Sequence, residues 1–251
     1  MISTTREVAR QLTTDGKLRA AINLSNFLLV TSGGSSGEPL QGVSPDIAHE
    51  LGRRLSVPVS LVPYACPQAI ANDASLDVWD IGNIGDEPQR AQVMDFTAAY
   101  CEIECTYLVP ENSPLRSFHD IDQPGIRIAS KGGGAYDLWL QRNIKNAEII
   151  QADSLDGSFD AFVSKDLDAL AGLRPRLVSD AERLDGARLL PGKFMSVQQA
   201  IGMPKGKSPD AVDWLRAQVE DMKRTGFVEE RIQFHGRAGL LKGAGYYRPK
   251  I

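Results

Sequence analysis

Residues 77–100 read DVWDIGNIGDEPQRAQVMDFTAAY. A short apolar segment at 77–81 has the pattern of a strand and runs into a glycine-punctuated turn with one arginine, Arg90. Asp95-Phe96-Thr97 and a second apolar segment follow. A strand that ends in a loop bearing a single guanidinium suits capture of a small anion better than bond breaking. The guanidinium fork can hold a carboxylate through two parallel hydrogen bonds.

The surrounding chain limits what that anion site can belong to. Its 251 residues, 42% apolar with 23 Gly and 14 Pro, allow one large domain or two lobes of about 100 residues each. Lys and Arg number 28 against 32 Asp and Glu, a net charge of −4, and no basic run interleaved with aromatics argues for nucleic acid. The apolar stretches are strand-length, well short of the roughly 18 residues of a membrane span. The N-terminus, MISTTREVARQLTTDGKLRA, has no apolar core of a secretory signal. As it stands the chain is therefore expected in the cytoplasm, or in the periplasm if a signal was removed. Cys101 and Cys105, four apart on an expected strand, would lie about 13 Å from each other, too far to bridge. With Cys66 they make an odd count and no histidine lies near, so neither a disulfide framework nor a metal is expected. His49, His119 and His235 are scattered, and no HExxH, GxSxG, GxGxxG or P-loop pattern calls for a cofactor.

Working outward from 77–100, strands alternate with helices. Toward the N-terminus come a short helix at 8–12, a strand at 18–24, a Gly/Ser turn at 31–39, a helix opening at Ser44-Pro45-Asp46, a strand at 57–64 and a helix at 67–74. Ser44 is expected to cap its helix, with Pro45 in the first turn and Ile47, Leu51 and Leu55 on the apolar face. Toward the C-terminus, residues 93–99 lead into an alternating strand at 102–109, with Ile103, Cys105 and Tyr107 on one face. After a boundary at 110–114 come strands at 126–129, 147–152, 167–171 and 197–203. Helices are expected at 135–143, 157–163, 177–184 and 209–225, with a Gly-rich tail from Gly236. Trp79 and Trp139 are expected in the core, and Asp95 and Asp168 in structural roles.

This alternation predicts an α/β chain with mostly parallel, covered sheets. In such sheets ligands bind beyond the carboxyl ends of the strands. The candidates there are Asn23, Asn26 and Phe27 after the first strand, Asn83, Gly85 and Arg90 after 77–81, Lys131 with Gly132, Gly133 and Gly134 after 126–129, Tyr136, and Arg174. A glycine loop opening a helix can present backbone N–H groups as an anion nest. Local turn hydrogen bonds are the competing use for Asn23 and Asn26.

In combination and order, several segments resemble the polar amino acid family of periplasmic substrate-binding proteins of ABC importers (family 3, type II periplasmic binding fold). They are LRAAI at 18–22, GVSPDIAHELGRRL at 42–55, the 77–100 stretch, PGIRIASKGGGAYD at 124–137, LDALAG at 167–172 and VQQAIGMPKGKSP at 197–209. The resemblance runs from about residue 17 to 235. It implies two α/β lobes, one of residues 1–107 plus 204–251 and one of 108–203, joined by hinge crossings near 106–111 and 198–203. A ligand would be clamped in the cleft between them.

By the same resemblance, Arg90 clamps a ligand carboxylate, while Asn83 and Gly85 stand where hydroxyl or amide contacts are usual. Asn26, with Phe27 beside it, falls at an aromatic position, and Cys66 at a second one. Gly132 and Gly133, preceded by Lys131, replace a Ser/Thr pair. Leu173, next to Arg174, replaces the acidic residue that receives an α-amino group. An ammonium needs acceptors to offset its desolvation. These departures therefore favour binding, without turnover, of a small carboxylate-bearing solute that is amine-free or doubly acidic. The alternatives are a polar amino acid delivered to an ABC permease, if the chain is exported, and a dehydratase or lyase. Cyclohexadienyl dehydratase shares the fold; in that case Arg90 would hold the substrate carboxylate and Lys131, Tyr136 or Asp168 would act as acid. The resemblance implies a monomer, and Tyr246-Tyr247 in the tail leaves a weak dimer open.

Overall fold

The computed structural model describes residues 5–33 and 38–245. The chain forms two compact units: residues 1–102 with 198–251, and residues 103–197. In chain order unit 1 begins with α1 (Thr5–Leu12), β1 (Leu18–Asn23), α2 (Val43–Leu55), β2 (Val59–Tyr64), α3 (Pro67–Asn72), β3 (Ile81–Gly85) and β4 (Met94–Phe96). β5 (Cys101–Pro110) leaves unit 1 after Glu102. Unit 2 continues with β6 (Arg127–Lys131), α4 (Ala135–Asn143), β7 (Glu148–Ala152), α5 (Leu155–Ser164), β8 (Ala169–Leu173), α6 (Arg174–Glu182) and β9 (Ala187–Leu189). β10 (Met195–Pro204) returns to unit 1 after Val197, and α7 (Pro209–Arg224), α8 (Phe227–Phe234) and β11 (Lys242–Gly243) complete it. The crossings lie earlier in their strands than the expected 107 and 203. Cys105 already pairs with Leu173 in unit 2, and Gln199 with Gly85 in unit 1.

In unit 1, β2, β1 and β3 run parallel and β10 pairs antiparallel with β3. Alternation sends Gly82 and Ile84 to one face, where Ile70, Trp79 and Met94 pack. Gly82 keeps that packing close, since a Cβ there would meet Ile70 at 3.2 Å. Ile81, Asn83 and Gly85 share the other face. α2 closes on β2 through Gly52, where a Cβ would come within 2.2 Å of Val59 Cγ2. In unit 2 the order is β5-β8-β6-β7, with β6 parallel to both neighbours and β5 antiparallel to β8. Ala129, Leu108, Phe159, Phe162 and Leu170 form its core. Both units have parallel strands joined by helices, as the alternation predicts, and the division into two α/β units is the one the resemblance implies.

Several local expectations are corrected. The strand expected at 77–81 begins at Ile81 and runs to Gly85, so Asn83 and Gly85 belong to the strand. The DVWD segment before it is instead a turn around Arg19. Asp77 has φ +52°, and Asp80, fully buried, accepts hydrogen bonds from Arg19 N at 2.8 Å and Arg19 Nη2 at 2.8 Å. Ser44 does not cap α2. Gly42 occupies the N-cap, with φ 140° and its Cβ position filled by Leu29 O, while Ser44 Oγ lies 3.1 Å from Tyr100 Oη. The chain after Gly236 is not wholly a tail, because Lys242 and Gly243 pair with Glu102 and Cys101 and Ala244 N donates to Tyr100 O at 3.1 Å. Tyr246 and Tyr247 lie outside the described residues.

Candidate solute-binding residues of the two units

At the carboxyl edge of unit 1, β1 ends at Asn23 paired with Tyr64, and Ile22 pairs with Asn83. The turn after β3 folds back as a single helical turn beginning at Arg90. Arg90 Nη1 donates to Gly85 O at 2.8 Å, which fixes the guanidinium against the end of the strand it follows. The side chain is buried, 2% exposed. Burial pushes its pKa down to about 10, and the nearby negative charges of Glu87 and Asp86, with Cys66, offset only part of that loss. Asp86 in turn is raised by burial, against the lowering influence of Arg90. A buried cation gains from an incoming carboxylate.

Asn83 is 2% exposed, and neither its Nδ2 nor its Oδ1 has a hydrogen-bond partner among the described residues. A buried amide in that condition is costly unless a ligand group or a water reaches it. Asn83 and Arg90 thus give unit 1 a polar pair tied to one strand end. Asn23 and Asn26 follow the local-turn reading. Asn23 Oδ1 accepts from Ser25 N at 3.1 Å and Ser25 Oγ at 2.7 Å, and Asn26 Oδ1 accepts from Leu28 N at 3.3 Å. Phe27 is 37% exposed, and Cys66 is half-buried beyond the end of β2. The other two cysteines, Cys101 and Cys105, are buried, and burial pushes the Cys101 thiol well up.

Unit 2 spends its glycine loop internally. Gly132 N donates to Ala152 O at 2.9 Å, and Gly133 N donates to the carboxylate of Asp137 at 2.9 Å. The same Asp137 Oδ2 accepts from Gln141 Nε2 and Gln151 Nε2, both at 2.7 Å. Asp137 is fully buried. A carboxylate in the first turn of α4 therefore takes the place that an external anion would have in the expected nest. Gly134 is the N-cap of α4 and offers no side-chain cap. Lys131 ends β6 with a buried side chain, and Tyr136 is buried in α4, where desolvation pushes its hydroxyl pKa well up. Asp168 lies at the opposite end of β6, accepting from Arg127 N at 2.7 Å, away from the carboxyl edge.

Arg174 opens α6 directly from β8, with no loop between. Its Nε donates to Glu104 Oε2 at 3.1 Å and its Nη2 to Gly192 O. Lys193 Nζ lies 3.5 Å from Glu104 Oε1. The sequence reading missed Glu104 because it alternates onto the polar side of β5 and looks like a solvated strand residue. Only the antiparallel register, Cys105 opposite Leu173, brings it to the end of β8. Asp137 carried a readable signal, an acidic residue in the first helical turn four positions after a loop glycine.

A model of the bacterial extracellular solute-binding proteins, family 3, matches residues 31–235. The chain belongs to that family. Solved structures with the same fold include an ancestral amino acid-binding protein described as a precursor of cyclohexadienyl dehydratase. It is 21% identical, with a TM-score of 0.70, covering 92% of this chain and 99% of that one. A binding component of an ABC transporter from Wolinella succinogenes, complexed with lysine, is 18% identical with a TM-score of 0.72, covering 88% and 96%. An amino acid ABC transporter substrate-binding protein from Streptococcus pneumoniae, bound to L-arginine, is 17% identical with a TM-score of 0.70, covering 90% and 96%. No curated protein sequence is detectably similar to the chain. These likenesses carry the fold and the family, and the residues above carry the chemistry.

Proposed function

We propose that the chain is the solute-receiving component of an ABC importer and binds a small amino-acid-type solute without turnover, gripping its carboxylate with Arg90. The observation that carries this reading is the buried Arg90 guanidinium, pushed down to about 10 by desolvation and fixed on Gly85. Asn83, buried in the strand whose last residue Arg90 grips, supplies an amide for a second polar contact. Family membership supports solute binding, and the lysine and arginine complexes of similar structures support a solute of amino-acid type.

This reading moves away from an amine-free or doubly acidic solute. That preference needed a second anion grip in unit 2. There the glycine loop is satisfied by Asp137 and the Arg174 guanidinium by Glu104 and Gly192. Of the three acids offered for the dehydratase alternative, Asp168 lies at the end of β6 opposite the carboxyl edge.

The test is isothermal titration calorimetry of the purified chain against a panel of amino acids, with the solution assayed afterwards for consumption of the solute. One class should bind at micromolar affinity or tighter and be recovered unchanged. Arg90→Ala should lower that affinity by about a hundredfold, the scale of a desolvated charge pair. Unchanged affinity in Arg90→Ala would reject the grip, and consumption of the solute would reject binding without turnover.

A further inference from the structure

The turn that follows β3, residues 86–90, reads DEPQR and sets two carboxylates beside one guanidinium. Its backbone is pinned on both sides. Asp86 N donates to Gln198 O at 2.8 Å, Ala91 N donates to Glu87 O at 2.9 Å, and Arg90 Nη1 returns to Gly85 O at 2.8 Å. The two acids have different fates. Glu87 is buried, whereas Asp86 is exposed, and among the described residues no hydrogen bond or ion pair engages its carboxylate.

We propose that Asp86 is a specificity-determining residue of the Arg90 grip, ranking amino-acid solutes by net charge so that cationic and neutral ones are favoured over acidic ones. This deepens the reading given under Proposed function and rests on it. Asp86 and Glu87 both act on the guanidinium through space, as does Cys66 from the end of β2. Arg90 acts back on Asp86, lowering it against the raising effect of its desolvation. From the neighbouring strand, β10 brings Gln198 and Gln199 to this end of β3, and neither is charged.

A charge close enough to act on Arg90 acts also on whatever Arg90 holds. The guanidinium meets one carboxylate at hydrogen-bond distance, where attraction exceeds the repulsion of carboxylates farther away. A second acidic group on the solute lies beyond that contact and meets the surplus negative charge of the turn. A side-chain ammonium gains from the same field. The charges of one amino acid all fall within about 8 Å of each other, a Debye length at physiological ionic strength, so salt screens them only in part. Because the backbone of Asp86 is pinned, its carboxylate stays near the grip. With no ion pair of its own to break, it answers to the charge of the solute alone.

The experiment titrates L-lysine, L-glutamine and L-glutamate calorimetrically into the wild-type chain, Asp86→Asn and Asp15→Asn at pH 7 and low ionic strength. Glutamine and glutamate share a shape and differ by one charge. Asp15→Asn is the control, because it changes the net charge by the same amount. Asp15 precedes β1 and Arg90 follows β3, at opposite ends of two parallel strands, and its φ of +51° is one that asparagine adopts. The wild type should prefer glutamine to glutamate by about tenfold, and Asp86→Asn should shrink that preference about fivefold, chiefly by tightening glutamate. Asp15→Asn should leave it unchanged. A wild type that binds glutamate best overturns the proposal, as does an equal change for all three probes in Asp86→Asn or an equal loss of preference in Asp15→Asn. The Arg90 grip survives those results, since Arg90→Ala tests it separately by weakening every probe that binds. Should the wild type bind lysine alone, about fivefold weaker binding in Asp86→Asn supports the proposal and unchanged binding overturns it. Should the wild type bind none of the probes while its thermal unfolding shows it folded, the Arg90 reading fails and the present one falls with it. Should Asp86→Asn fail to fold, a wild-type preference for glutamine that falls as salt is raised to about 0.5 M supports the proposal, and one that salt leaves unchanged overturns it.

Discussion

A guanidinium with 2% exposure is costly unless its charge is answered, and at Arg90 desolvation outweighs the raising influence of Glu87 and Asp86. Asp86 shares the cost, since burial raises its pKa above the ordinary value of 3.8. The sign follows from linkage. A carboxyl raised in the folded state binds its proton more tightly there than in the unfolded chain. Its destabilising contribution is therefore present at neutral pH, fades as pH falls through the raised value, and is gone below 3.8. Asp86→Asn should accordingly raise the melting temperature at pH 7 and leave it unchanged at about pH 3. Calorimetric scans at the two pH values check this, and equal shifts at both would show that Asp86 carries no such penalty. At this scale the position of Arg90 could be read directly, because a cation in a turn after a strand stands out in the sequence. Glu104 could not be read, because its meaning depends on which residue lies across the ladder.

Among the elements, the loop of residues 131–134 shows how one side chain redirects a motif. Three glycines before a helix offer N–H groups to an anion, and Asp137 supplies that anion from within the fold. Asp137→Ala should leave the donors of Gly133, Gln141 and Gln151 without their acceptor, at a cost of about 3 kcal/mol. A urea titration should show a lower midpoint at an unchanged slope. A change under about 0.5 kcal/mol would mean that water replaces the carboxylate at no cost. Gly52→Ala makes a second element-scale case. The α2 to β2 approach leaves no room for a methyl, and overpacking of this kind costs about 1–3 kcal/mol. Helix α2 itself was legible from the spacing of Ile47, Leu51 and Leu55. Its cap was not, because Ser44 is drawn to Tyr100 by a contact 56 residues distant. The start of β3 was misplaced for a similar reason, since Asp77 and Asp80 are recruited by Arg19 from another strand.

For the whole molecule, the alternation of strands and helices predicted parallel α/β sheets, and the family resemblance implied two lobes with discontinuous connectivity. The chain divides that way, with β5 and β10 as its crossings. The crossing points were less legible, because a strand that serves two units has no change of composition where it passes from one to the other. A solute that binds only the folded chain stabilises it by mass action, about 2.7 kcal/mol at a hundred times its dissociation constant. That corresponds to a rise in melting temperature of roughly 5–10 °C for a chain of this size, and Arg90→Ala should abolish the rise. The central claim, that Arg90 meets the carboxylate of the solute, is tested most directly by a thermodynamic cycle. The bound amino acid and its carboxamide are titrated into the wild type and into Arg90→Ala. The account predicts that the wild type prefers the carboxylate by about a hundredfold and that the variant prefers neither. An equal preference in both proteins would contradict it.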